Sequence, residues 1–162
     1  MSPRHEKIVI VDYKAGNLTS VRLAVEKLGR RAQVTGDPEV VRSADRLIFP
    51  GVGAAGSAMQ TLRETGLAGA LIEYAGTGRP MSGICLGAQI IFERSAEDDA
   101  ECLGILPGSV QPLEVQPSTK VPHMGWNSVS FSTDHPVWNG VESGTQFYFV
   151  HSYAPAPDDA GA

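Results

Sequence analysis

A single cysteine between two glycines is the residue of this chain best suited to chemistry. Cys85 stands in Gly83-Ile84-Cys85-Leu86-Gly87, where a short apolar stretch predicted as a strand meets a predicted helix. Glycines two residues before and two after a nucleophile let the neighbouring backbones pass in a tight strand-to-helix turn. The pattern predicts a thiol exposed at the tip of a sheet, at a helix N-terminus whose dipole favours the thiolate. A buried structural cysteine is the alternative, because free cysteine is common in cores.

A nucleophilic cysteine normally works with a histidine that carries a proton, and the chain has four histidines. His5 lies in a polar N-terminal segment and His135 in a predicted turn, so we interpret both as surface residues. His123 lies within the unusual segment from Pro122 to Asn127. His151 ends an apolar strand, and its spacing makes it the candidate base. A histidine held by structural hydrogen bonds is the alternative at this position.

A glycine-rich segment, Pro50-Gly51-Val52-Gly53, follows another predicted strand. Glycine turns let backbone N–H groups approach a ligand closely. Gly51 and Gly53, together with the amide of Leu86, are therefore candidates to stabilise the oxyanion of a tetrahedral intermediate. The segment is not a phosphate loop, because no Gly-Lys-Ser/Thr follows it.

Strands and helices alternate through the first half of the sequence. This order predicts a parallel sheet with helices on both faces and ligands at the carboxyl ends of the strands, where Cys85 and the Pro50–Gly53 loop lie. After Arg94, frequent prolines and glycines predict antiparallel strands and loops, and residues 154–162 are predicted as a loose tail. The predicted strands cover 7–13, 31–34, 46–49 and 80–84, and the predicted helices begin after Asn17 and Asp37 and cover 57–65, 67–75 and 86–92.

Composition restricts the function classes. A chain of 162 residues that is 42% hydrophobic predicts one domain, spanning residues 1–162. A net charge of −5 argues against binding to nucleic acid or anionic membranes, which requires a basic surface. The two cysteines make neither a disulfide framework nor a metal knuckle, which favours a reducing, cytoplasmic setting. We expect no metal and no cofactor. The apolar run Ile8–Val11 is far shorter than the ~20 residues that cross a bilayer, and we expect a soluble, cytoplasmic protein.

Five segments, in order along the chain, together resemble a known family. They are similar to the glutamine amidotransferase subunits of imidazole glycerol phosphate synthase, which are class I, triad-type amidotransferases of histidine biosynthesis. The resemblance implies a flavodoxin-like α/β fold with an added antiparallel region. The segments are Asp12-Tyr13-Lys14-Ala15-Gly16-Asn17-Leu18, Pro50-Gly51-Val52-Gly53-Ala54, Gly83-Ile84-Cys85-Leu86-Gly87-Ala88-Gln89, Pro122-His123-Met124-Gly125-Trp126-Asn127 and Tyr148-Phe149-Val150-His151-Ser152-Tyr153.

The resemblance assigns roles to individual residues. In this family the cysteine attacks the side-chain amide of glutamine, and a thioester and ammonia result; water then releases glutamate. Carried over, Cys85 is the nucleophile and Gly51 and Gly53 lie in the oxyanion strand. Residues implied to line the glutamine pocket are Gln89, Ser152 and Tyr153. The resemblance also makes His151 a neighbour of this pocket and not the base.

The resemblance implies a protein partner as well. In this family the ammonia passes to a cyclase subunit, a (β/α)8 barrel, which uses it to form imidazole glycerol phosphate, and the two subunits form a heterodimer. Asn17, Trp126 and Asn127 match positions on or near that interface. For Trp126, an ordinary core aromatic is the alternative.

One departure from the family pattern bears on activity. Family members carry the catalytic histidine and glutamate in a His-Pro-Glu motif beyond the strand that ends at His151, and these 162 residues contain no such motif. The resemblance therefore implies a domain without its C-terminal segment, and impaired activity for these residues alone. Two other hypotheses stay open: a non-catalytic member that retains the partner surface, and another cysteine hydrolase that uses His123 or His151 as base.

Overall fold

The computed structural model describes residues 6–115 and 120–158, so the predictions for His5 and for residues 159–162 lie outside it. Contacts divide the chain into two compact units. The first comprises the residues up to Gln111 together with those from Pro155, and the second comprises Pro112–Ala154.

Ten strands and five α-helices make up the regular structure of the described residues. The strands are β1 (Ile8–Val11), β2 (Ala32–Thr35), β3 (Arg46–Gly51), β4 (Met81–Cys85), β5 (Arg94–Ser95), β6 (Ala100–Glu101), β7 (Gly108–Pro112), β8 (His123–Ser128), β9 (Gln146–His151) and β10 (Tyr153–Pro157). The helices are α1 (Leu18–Lys27), α2 (Pro38–Arg42), α3 (Ala55–Glu64), α4 (Leu67–Ala75) and α5 (Leu86–Gln89). No helix in this part of the chain is long and apolar enough to cross a membrane.

The first unit is built on a parallel sheet with the strand order β2-β1-β3-β4. Its β1 strand is almost fully buried, which explains its continuous run of β-branched residues. The order reverses between β1 and β3, as in flavodoxin-like folds, and ligands bind such sheets at the carboxyl ends beside the reversal. The predicted parallel α/β architecture is confirmed.

Local signals set the helix ends. The Asn17 side chain accepts a hydrogen bond from the Ser20 N–H at 3.2 Å and so caps the start of α1. The helix ends at Lys27, and two residues later Gly29 has a φ of +72°, as is common for a glycine just after a helix. Asp37 caps α2 in the same way through the Glu39 N–H at 2.9 Å. Both helix starts were predicted from these residue types, and the observed bounds follow the caps.

The prediction of a loose tail over residues 154–162 is wrong for residues 154–157, which belong to a second sheet. Its order is β10-β7-β5-β6, so residues 153–157 form an edge strand. The sequence does not predict this strand, because β10 contains two prolines, which argue against a central strand. An edge strand tolerates proline, because its outer N–H groups need no partner. Close approach of this strand requires Gly108, since a Cβ there would lie 2.6 Å from the Ala156 carbonyl oxygen.

The second unit contains a two-stranded antiparallel ribbon of β8 and β9. His123 pairs with His151 at one end and Ser128 with Gln146 at the other. Successive residues of a strand point to opposite faces, so alternate pairs share a face. This ribbon agrees with the antiparallel strands predicted after Arg94.

Candidate active site

Cys85 occupies the sharp turn that the glycine pattern predicts. It is the last residue of β4 and immediately precedes α5, and its side chain is exposed. Its backbone has a φ of 55° and a ψ of −121°, a conformation that residues with a Cβ rarely adopt. Such strained residues concentrate at functional sites, where the surrounding structure holds them in place.

The two flanking glycines are required by space. A Cβ on Gly83 would lie 2.7 Å from the Ala88 Cα and 2.8 Å from the Ala88 nitrogen. A Cβ on Gly87 would overlap the Phe49 carbonyl oxygen and lie 2.8 Å from its carbon. Backbone atoms cannot move aside as side-chain tips do, so the turn around Cys85 depends on both glycines.

The helix after Cys85 is much shorter than predicted. The sequence predicts a helix over residues 86–92, but α5 ends at Gln89 after a single turn. The carbonyl groups of Ile90, Ile91 and Phe92 instead accept hydrogen bonds from the chain at residues 103–106. One helical turn has little dipole, so exposure and the strained turn, and not a helix N-terminus, distinguish this thiol.

The glycine-rich segment lies directly beside the cysteine. In the pairing of β3 with β4, Gly51 is opposite Cys85. A Cβ on Gly51 would overlap the Tyr13 hydroxyl and would lie 2.8 Å from the Gly87 nitrogen. Gly53 has a φ of +98°, which turns the chain out of β3. The structure therefore brings Gly51, Cys85 and Leu86 together, as the carboxyl ends of parallel strands require.

The two cysteines are in opposite environments. The Cys102 side chain is buried, and burial raises the pKa of its thiol. Its Sγ lies 3.5 Å from the Ala100 carbonyl oxygen. Because the thiolate is the nucleophilic form, Cys102 is a structural residue and Cys85 is the thiol available for reaction.

Sequence reasoning assigned no role to Tyr13, although it lies at this site. Its side chain is 2% exposed, and burial together with the charge of Cys85 raises the pKa of its hydroxyl to about 12. The Val52 backbone N–H is close enough to oppose this shift in part. The only available signal was its position after the buried β1 strand, at the carboxyl edge of the sheet.

The candidate bases lie in the second unit and bond to each other. His123 Nδ1 is 3.1 Å from His151 Nε2, and His151 Nδ1 is 2.9 Å from the Tyr153 carbonyl oxygen. A carbonyl only accepts, so His151 Nδ1 donates to it; Nε2 of the neutral ring then accepts from His123. Both ring nitrogens of His151 are therefore occupied, which favours the structural alternative over the base.

The remaining predicted site residues are distributed over both units. Gln89 ends α5 in the first unit, and Ser152 and Tyr153 follow β9 in the second. Asn17 is exposed and caps α1. In the described residues, no group of three or more histidine, cysteine, aspartate or glutamate side chains could hold a metal ion.

Trp126 is 68% exposed, so the alternative of a core aromatic is wrong. Its ring contacts Tyr148 edge-on, with centroids 5.6 Å apart. The neighbouring pair Met124 and Val150 is also more than half exposed and lies on the same face. We call these four residues the ribbon face. Asn127 lies on the opposite face of the ribbon, where its side chain accepts from the Ser128 N–H.

Comparison with known protein families gives a match along nearly the whole chain. The profile of the family described as glutamine amidotransferase class-I matches residues 9–161. Imidazole glycerol phosphate synthase subunit HisH of Nitrosomonas europaea is 47% identical over 161 residues, which cover 94% of this chain and 76% of that protein. The subunit HisH of Nitratidesulfovibrio vulgaris is 46% identical over 158 residues, which cover 94% of this chain and 74% of that protein.

Solved structures agree on the fold. A crystal structure of a glutamine amidotransferase has a TM-score of 0.67 at 20% identity and covers 93% of this chain and 74% of that chain. A crystal structure of a glutamine amidotransferase from Thermotoga maritima has a TM-score of 0.60 at 14% identity. The match covers 95% of this chain and 64% of the Thermotoga maritima chain.

Proposed function

We propose a glutaminase function for this chain, which belongs to the class I glutamine amidotransferase family. Its relatives at 45–47% identity carry the name of one subunit of imidazole glycerol phosphate synthase. We infer that the chain serves the same synthase in histidine biosynthesis, hydrolysing glutamine to glutamate and supplying ammonia. An exposed free thiol suits a reducing, cytoplasmic setting.

One observation carries the chemistry: the exposed Cys85 thiol, held in a strained turn, lies across from Gly51 in the neighbouring strand. Sγ attacks the side-chain carbonyl carbon of glutamine, and the carbonyl electrons move to oxygen. Backbone N–H groups of the Gly51–Gly53 turn and of Leu86 stabilise this oxyanion. The C–N bond then breaks, the leaving nitrogen takes up a proton to give ammonia, and a glutamyl thioester remains on Cys85 until water hydrolyses it.

The other roles are carried over from the family. Gln89, Ser152 and Tyr153 are proposed as glutamine-binding residues. A different cysteine hydrolase with His151 as base is disfavoured, because the His123 ring and the Tyr153 carbonyl occupy both nitrogens of His151.

An activated substrate tests the proposed chemistry without acid catalysis. The γ-(4-nitrophenyl) ester of glutamate has a leaving group that departs as the anion and needs no proton. We expect rapid release of one equivalent of 4-nitrophenolate per chain, as the thioester forms. The corresponding butyrate ester, which lacks the α-amino and α-carboxyl groups, should react much more slowly. Equal rates with the two esters would contradict a glutamine site.

The second part of the proposal is a partner. We propose that the ribbon face docks on the cyclase subunit of imidazole glycerol phosphate synthase, and that Asn17 and Asn127 lie on or near the same interface. The ribbon face consists of an exposed aromatic pair beside an exposed aliphatic pair. Trp and Tyr are the residues that most often anchor protein interfaces.

Replacing the anchor should weaken this complex. Trp126→Ala is expected to reduce affinity for the cyclase by about 2 kcal/mol, because a truncated aromatic anchor loses its buried contact area. Isothermal titration with the purified cyclase measures the effect. Leu28→Ala is the matched control, since Leu28 is an apolar residue of the first unit, just after α1, and is 80% exposed. Equal affinities of the Trp126 variant and the unchanged chain would remove Trp126 from the interface.

A further inference from the structure

An unpartnered hydroxyl lies beneath the predicted oxyanion turn. Among the residues that the structure describes, Tyr13 Oη is the one buried side-chain polar atom without a hydrogen-bond partner. Leaving such a group unsatisfied costs stability, and native proteins retain few of them. A buried orphan of this kind therefore calls for a functional explanation.

The position of the Tyr13 hydroxyl suggests a functional explanation for its lack of a partner. It lies against the Gly51 Cα, where any side chain would overlap it, and the Gly87 nitrogen borders the same space. Gly51 is in turn the residue opposite Cys85. The hydroxyl and Cys85 thus both adjoin the backbone of Gly51. That backbone belongs to the turn that must hold a developing negative charge.

The phenol is fixed and stays protonated. Its ring packs against Phe49 with centroids 5.7 Å apart, and only 2% of the Tyr13 side chain is exposed. With a pKa of about 12, it remains an uncharged hydroxyl, able to accept from a backbone N–H, through the whole range in which a cysteine ionises.

We propose that Tyr13 is a positioning residue for the glutaminase reaction: its hydroxyl forms a hydrogen bond with the main chain of the Gly51–Gly53 turn when the oxyanion develops at the substrate of Cys85. This inference rests on the proposed function. In the resting protein the Val52 N–H acts on the hydroxyl without reaching hydrogen-bond geometry, and the transition state completes the bond. An interaction made only in the transition state raises the rate constant without changing substrate affinity.

Tyr13→Phe isolates the hydroxyl, because the ring and its packing are kept. With the γ-(4-nitrophenyl) ester of glutamate, we expect the rate constant of the burst to fall about 10-fold, the effect of one hydrogen bond, while the half-saturating ester concentration stays constant. Alkylation of Cys85 by iodoacetamide passes through no oxyanion and should keep its rate. Stability should increase, with Tm higher by roughly 2–4 °C, since the variant no longer buries an unpaired hydroxyl.

Tyr74→Phe is the matched control. Tyr74 is fully buried, and its hydroxyl donates to the Pro80 carbonyl at 2.8 Å, so the variant should lower Tm and leave the burst unchanged. A burst from the Tyr13 variant within twofold of the unchanged chain would overturn the role of Tyr13 alone. A parallel loss of iodoacetamide reactivity, or a lower Tm, would also overturn it by showing a structural role. Absence of a burst in the unchanged chain would overturn the proposed function and this inference with it.

Discussion

Glutamine turnover by a polypeptide of only these 162 residues is expected to be slower than that of a complete family member by roughly 10²–10⁴-fold or more. Cys85 can attack as the thiolate, but the leaving nitrogen of an amide must receive a proton, and the water that hydrolyses the thioester must lose one. The family performs both transfers with the histidine of a His-Pro-Glu motif. The single His-Pro pair in these residues, His135-Pro136, is followed by Val137, and His135 Nδ1 accepts the Val137 N–H at 3.1 Å.

The measurement is glutamate release from glutamine, with the cyclase and its ligand present. It compares the 162-residue polypeptide with the same polypeptide extended by a C-terminal segment of a relative such as that of Nitrosomonas europaea. The extended form should turn over roughly 10²–10⁴-fold faster than the shorter one, or by a larger factor. Comparable turnover by both, lost on His151→Ala or His123→Ala, would show that the base lies within these residues and would support the other cysteine hydrolase.

The substitution Gly87→Ala should cost about 3 kcal/mol or more in the free energy of unfolding. The added methyl group would overlap the Phe49 carbonyl oxygen and lie 2.8 Å from the Phe49 carbonyl carbon, and both of these atoms belong to the backbone of β3. Relief would require separating β3 from α5, which also displaces Gly51 from Cys85. Urea denaturation measures the stability, and the ester burst should be lost in the same variant.

Gly69→Ala is the control for this substitution. Gly69 is exposed within α4, and a Cβ there meets no atom within 4 Å. Alanine at such a helical position should stabilise the protein by about 0.5–1 kcal/mol. A similar, small effect at both glycines would contradict the account of the turn.

Local patterns were sufficient to predict much of this structure. The glycines around Cys85 act through contacts within a few residues of the chain, so their spacing predicted the turn correctly. The alternation of apolar strands with capped helices likewise predicted the parallel sheet, because each cap acts within its own first turn. The juxtaposition of Gly51 with Cys85 then follows, since parallel strands place their carboxyl ends together.

Other features depend on contacts that are distant in sequence. Residues 90–92 have helical hydrophobic spacing, yet their carbonyl groups bond to the chain at residues 103–106 and end the helix early. The β10 strand exists because Gly108 lets it approach. The orphan hydroxyl of Tyr13 is defined by Gly51, which is 38 positions further along the chain. Periodicity carries no information on such pairs, which only the folded chain brings together.

The central claim is that Cys85 takes up a glutamyl group from a glutamine-type substrate. The most direct test is to react the chain with the γ-(4-nitrophenyl) ester of glutamate, quench in acid, and locate the adduct by mass-spectrometric peptide mapping. We predict one glutamyl thioester per chain, on Cys85, unchanged in Cys102→Ala and absent in Cys85→Ala. A glutamyl group on Cys102, or a chain that releases no nitrophenolate and carries no adduct, would contradict the account.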